Sequence, residues 1–135
     1  MISFFKKYYN VYLLAKVRNF YVNKKYDNAL EIIAKINFKN KAYFYFLRGM
    51  IFFHSGNLDK SFEDLNMALK YLKEEKIFNN DEMNYLKYYI YNTIAFIFKE
   101  RVQKENSIEM IKLRNESNLF NIDNIRKNLL YYFPL

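Results

Sequence analysis

The chain has no cysteine, one proline, two glycines and a single histidine in 135 residues. The missing thiols exclude disulfides and thiolate zinc sites, and they leave the redox compartment open. So few glycines and prolines cannot punctuate a β-rich fold, which needs a turn residue at short intervals. With His54 alone, a paired-histidine metal site lacks its second ligand, and a Cys-His or Ser-His-Asp arrangement fails or rests on one residue. There is no glycine-rich loop of the kind that cradles phosphate. No apolar run approaches the ~18 uninterrupted residues of a membrane span. The opening stretch MISFFKKYYNVYLLAKV is interrupted by Tyr, Asn and Lys. It lacks both the continuous apolar core and the small-residue cleavage site of a secretory signal. These absences lead us to expect a cytoplasmic protein, unless a targeting segment has been trimmed, with no catalytic centre, metal or cofactor.

What is present is helical patterning over the length of one domain, taken as residues 1–135. Apolar periodicity predicts helices over about 3–22, 27–36, 42–54, 58–76, 81–100, 106–117 and 123–133, the last stopped by Pro134. NFKNK breaks the chain before the third helix, Ser55-Gly56-Asn57 joins the third to the fourth, and Asn80 or Asp81 can cap the fifth. The expected class is therefore all-α.

The segment AYFYFLRGMIFFHSGNLDKSFEDLNMALKY carries Gly49, Phe52, Gly56, Leu58, Ser61, Leu65 and Ala68 at fixed offsets. Upstream, Val17, Phe20, Lys24, Tyr26, Ala29, Ile33 and Ile36 repeat those offsets 32 residues earlier. Downstream, Ala95, Phe98, Val102, Ser107 and Ile111 repeat them 46 residues later. This pattern resembles the tetratricopeptide repeat, a helix–turn–helix unit of ~34 residues. The resemblance implies an α-solenoid of about three repeats, over approximately 10–43, 42–75 and 88–121, with a capping helix at 123–133. Ile125, Leu129, Leu130 and Phe133 would form the covering face of that cap. The wider third spacing would lengthen the helix after Ala68 and add a connection near Asn79. Gly49 and Ser61 would lie where two helices cross, and Ala29 would be buried like Ser61. The Ser61 hydroxyl would bond back to a carbonyl of its own helix.

The formal charge is +8, and residues 1–44 hold nine Lys or Arg against Asp27 and Glu31 alone. A basic first third invites a nucleic-acid reading. Its lysines are scattered, however, and the chain is rich in Lys, Asn, Phe, Tyr and Ile throughout, as coding bias produces. Lys24, Lys25, Lys39 and Lys41 mark the basic surface, which could steer an acidic protein. His54, with no second matching group, reads as structural or partner-contacting. The carboxylate pairs Glu63-Asp64, Glu74-Glu75 and Asp81-Glu82 read as solvated faces and helix-start charges.

In the repeat register, the first helix of each unit faces a concave groove. Leu14, Arg18 and Tyr21 would line it from the first unit, and Tyr43, Phe46, Leu47, Met50 and Phe53 from the second. Tyr89, Asn92, Thr93, Phe96 and Lys99 would line it from the third. Members of the family that clamp a peptide carboxylate do so with Lys, Asn and Arg at such places, and this chain departs from that set at nearly every one. Its groove is aromatic and aliphatic, a patch too large to stay uncovered. A partner's amphipathic helix or apolar peptide, a second copy, or the chain's own ends could cover it. The expected function is a non-enzymatic protein–protein interaction module, adaptor or chaperone-like. The alternative is nucleic-acid binding through the basic third, and a lesser one an RNA-reading repeat hinted at by YNTIAFIF.

Overall fold

The computed structural model describes residues 2–36, 38 and 41–125, with side chains from Tyr9 onward. Six helices follow one another: α1 Ile2–Val22, α2 Tyr26–Ile33, α3 Lys41–His54, α4 Leu58–Glu74, α5 Asn80–Glu100 and α6 Lys104–Glu116. A single 3-10 turn, Ile122–Asn124, comes after them. No strand occurs among the described residues, and no helix there is long and apolar enough to cross a membrane. The helices pack chiefly as consecutive pairs, α1 on α2, α3 on α4 and α5 on α6. Lesser contacts of α2 with α3, α4 with α5 and α3 with α5 join the three hairpins.

The three hairpin turns are built alike. Lys24, Gly56 and Val102, at matching positions of the repeat pattern, all adopt positive φ, of 60°, 88° and 58°. The amides of these residues donate to Tyr21, Phe53 and Lys99, and the amides of Lys25, Asn57 and Gln103 donate to Phe20, Phe52 and Phe98. Those paired bonds close the helix end by the Schellman arrangement, satisfying carbonyls that the helix itself leaves open. Five residues beyond the positive-φ positions, Ala29, Ser61 and Ser107 are all buried. The sequence offsets of 32 and 46 thus correspond to a geometric equivalence.

Small residues set the spacing within the hairpins. A Cβ on Gly49 would lie 2.9 Å from Leu65 Cδ2 and 3.1 Å from Asp64 Cβ, so α3 and α4 meet there too closely for a side chain. Ser107 donates its hydroxyl to the Ala95 carbonyl at 3.0 Å, tying α6 to α5. Ser61 does not behave as expected: its hydroxyl is buried and makes no hydrogen bond among the described residues. Around these crossings one apolar cluster runs from Leu13 through Phe46, Leu65, Leu86 and Ile90 to Ile125.

Several boundaries differ from those expected. Helix α2 stops at Ile33 because the amides of Lys35 and Ile36 bond three residues back, to Ile32 and Ile33, tightening the last turn. Helix α4 stops at Glu74, where Glu75 turns extended. The Glu75 carboxylate accepts from the amides of Lys41 at 3.2 Å and Ala42 at 2.8 Å, and so caps the start of α3. Helix α5 is capped by Asn79, not Asn80 or Asp81. Asn79 and Glu82 exchange bonds of 2.8 and 3.1 Å as a capping box, and Glu82 is buried in doing so.

Asp81 instead holds the returning chain, accepting from the Asn121 amide at 3.0 Å and the Asn124 side chain at 2.9 Å. These bonds keep its carboxyl below the usual carboxylate range. Beside it Asn84 donates to the Leu119 carbonyl, Asn79 donates to that of Asn124, and the Phe120 ring meets Tyr85 edge-on. Residues 119–125 therefore lie along the first half of α5. No helix begins at Asp123, since Ile122–Asn124 is a 3-10 turn and Ile125 is extended. Ile125 is buried; Leu129, Leu130, Phe133 and the rest of the expected cap lie outside the described residues.

Candidate functional site

The expected groove residues fall into three groups. Tyr43, Phe46, Leu47 and Met50 are buried, Phe46 at 1% exposure, and so belong to the core and not to an open wall. Contact between α3 and α5 is the reason: Thr93 of α5 is also buried, and its hydroxyl lies 3.4 Å from the Met50 sulfur. The same hydroxyl donates to the Tyr89 carbonyl at 2.8 Å. Neighbouring hairpins have consumed the surface that the helical stripe offered.

A second group lies apart. Leu14 is half-buried against the core, and Arg18, also half-buried, borders a shallow hollow on α1 with Ala15, Asn19 and Val22. Tyr89 packs edge-on between Tyr85 and Tyr88. Its hydroxyl is shifted upward by burial and by Tyr88. Asn92 is exposed and accepts from Arg114 Nη1 at 2.8 Å.

The third group stays together at the surface. Phe96, 46% exposed, meets Phe53 edge-to-face at 5.2 Å. Phe53 meets His54 at 5.2 Å, His54 meets Tyr21 at 5.3 Å, and Tyr21 meets Tyr26 at 6.1 Å. These edge-on contacts form one aromatic ridge across all three hairpins. Tyr21 and Phe53 stand one residue before the ends of α1 and α3, and Phe96 stands one turn before the end of α5. Edge-to-face pairing adds attraction beyond burial, so rings at this spacing hold one another in place. Burial pushes the Tyr21 hydroxyl up to about 12, with Tyr26 adding to the shift, and it lowers the His54 imidazole. Around neutral pH the ridge is accordingly an uncharged, mainly apolar surface. Lys24 and Lys25 are exposed in the turn beyond Tyr21, and Lys99 is exposed near the end of α5. Lys41 lies elsewhere, with its ammonium 5.3 Å from the Tyr71 ring centroid, and Lys39 is outside the described residues. Among the described residues no three His, Asp or Glu side chains converge as a metal site would require.

One feature was missed from the sequence. Leu30 and Ile33 of α2, Ala34, Ile36 and Phe38 of the connector, and Lys41, Phe44, Arg48 and Phe52 of α3 line a cleft of about 570 Å³. Arg48 crosses its wall, giving Nε and Nη2 to the Asp64 carboxylate at 2.8 and 2.9 Å. The guanidinium also lies 4.7 Å from the Phe44 ring centroid. The clue was the spacing of Lys41, Phe44, Arg48 and Phe52, which puts two cations and two rings on one face of α3.

No protein-family model matches the chain, and neither a curated protein nor a solved structure matches it.

Proposed function

We propose that the chain is a protein-binding module of TPR-like hairpins, seating an apolar helix or peptide of a partner along the ridge Tyr21–His54–Phe53–Phe96. The observation that carries this reading is Phe96. A large ring nearly half exposed, locked edge-to-face onto Phe53 and continued by rings from the other two hairpins, is a surface prepared for another apolar surface. Helix-in-groove recognition uses such aromatic anchors at helical spacing. The equivalence of the three turns supports the repeat reading. An adaptor or chaperone-like role, keeping an apolar partner segment out of water, fits this surface.

The test compares two variants for capture of the native partner from the source cells. Phe53→Ser with Phe96→Ser should lose capture while keeping helicity and most of its Tm, because Phe96 is exposed and Phe53 only half-buried. Phe46→Ser should instead lower stability by several kcal/mol, as expected where a fully buried ring is replaced. Undiminished capture by a folded ridge variant would refute the proposal. A steep loss of binding with salt would transfer the role to the basic surface, since phosphate contacts weaken steeply with ionic strength.

A further inference from the structure

The cleft between α2 and α3 is not part of the ridge, and its lining has a chemistry of its own. Leu30, Phe38, Phe44 and Phe52 are only half-buried, although the first three pack against the core. They share one concavity, and among the described residues its polar lining side chains, Lys41 and Arg48, are both cationic. Two carboxylates bond to these lining residues, and both are engaged. Asp64, 7% exposed at the side chain, is held by Arg48, and Glu75 is held by the amides of Lys41 and Ala42. Arg48 is thereby fixed in direction, and Asp64 holds its charge firmly in place. Two of its five N–H groups are used, and its side chain remains 35% exposed. Lys41 is exposed at the start of α3, two helical turns from Arg48.

We propose that this cleft binds a small amphiphilic carboxylate: an aliphatic or aromatic body among Leu30, Phe38, Phe44 and Phe52, with its acid group on Lys41 and the free edge of Arg48. Size favours a small molecule over a protein segment. A cleft of about 570 Å³ is within the usual range of roughly 300–1,000 Å³ for small-molecule pockets. A protein interface usually engages about 20–30 residues a side, more than this lining supplies. Charge selects the ligand's head group, because Lys41 makes no ion pair among the described residues and Arg48 keeps three N–H groups beyond those it gives to Asp64. The site is independent of the ridge, and so is its test.

The experiment is isothermal titration of the full chain with decanoate, decanol and decylammonium, each below its micellar concentration. Decanoate should bind one-to-one, at least tenfold more tightly than the other two, and weaken as salt is raised. Ala34→Trp places a large side chain in the mouth from an exposed position and should weaken decanoate binding tenfold or more. Lys41→Glu should weaken it severalfold, whereas Lys41→Arg should retain it. The double variant Phe53→Ser, Phe96→Ser should bind decanoate as the parent does. Absence of decanoate binding, equal affinity for decanol, or full binding by a folded Ala34→Trp chain would each overturn the proposal. Loss of binding in the ridge variant would do so as well, by placing the ligand on the ridge.

Discussion

Val102 is the point where the three-fold equivalence of the turns is most exposed to experiment. It occupies at φ 58° the position that Gly56 occupies at φ 88° in the middle hairpin. A β-branched residue with positive φ crowds its Cβ against the backbone, and the left-handed conformation costs an L-residue about 1–2 kcal/mol. At 89% exposure Val102 makes almost no packing contact that a smaller residue would lose. Val102→Gly therefore removes the strain, while the freer unfolded chain takes back roughly 0.5–1 kcal/mol. The net expectation is a gain of about 0.5–1 kcal/mol, or roughly 2–5 °C in Tm for a chain of this size. Gly56→Val is the reciprocal change. A Cβ there would meet nothing within 4 Å, so its destabilisation of similar size would come from the backbone alone. Thermal and urea unfolding followed by circular dichroism measures both. Shifts in the same direction, or a Val102→Gly chain that melts lower with unchanged helicity, would refute the assignment of equivalent turns.

Four further outcomes follow from the packing and electrostatics. Gly49→Ala should destabilise only modestly: overpacking against Leu65 and Asp64 costs about 1–3 kcal/mol, and better helix propensity offsets about 1. Gly49→Leu should cost well over 3 kcal/mol in the same urea titration. Arg48→Met should cost about 3 kcal/mol by leaving the buried Asp64 carboxylate unpaired, and Asp64→Asn should cost less, because Arg48 can turn to water. Glu75→Ala should lower stability by about 1 kcal/mol, the usual loss for a helix-start cap, seen in urea unfolding. His54 has its folded pKa below the unfolded value of 6.5, so its contribution to stability is full above pH 6.5 and is lost as pH falls through the folded pKa. Tm measured from pH 7.5 downward should show this loss, and His54→Phe should remove that component.

Much of the hairpin architecture was legible because it depends on local chemistry. Gly49, Ala29, Ser61, Ser107 and Ala68 are all buried, and small side chains at fixed offsets are what a close helix crossing demands. The turns could be placed from Lys24, Gly56 and Val102, although neither Lys nor Val announces a positive φ. The groove was harder. Phe46, Met50 and Phe53 share a helical stripe, but periodicity identifies a face and not what covers it. Here α5 covers Met50 and leaves Phe53 to meet Phe96, a consequence of how the second and third hairpins join. The capping of α3 by Glu75 and the binding of Asn121 by Asp81 link residues 33 or more positions apart. No local pattern encodes such pairings. The cleft was missed because its two walls come from different hairpins.

The most direct measurement of the central claim, that the aromatic ridge is where a partner docks, is site-specific photo-crosslinking in the source cells. A benzophenone-bearing phenylalanine replaces Phe96 in one chain and Glu63, exposed on α4 and outside the ridge, in another. The account predicts one discrete protein adduct from position 96, none from position 63, and loss of the adduct when Phe53→Ser is added. No adduct from position 96, or the same adducts from both positions, would contradict it.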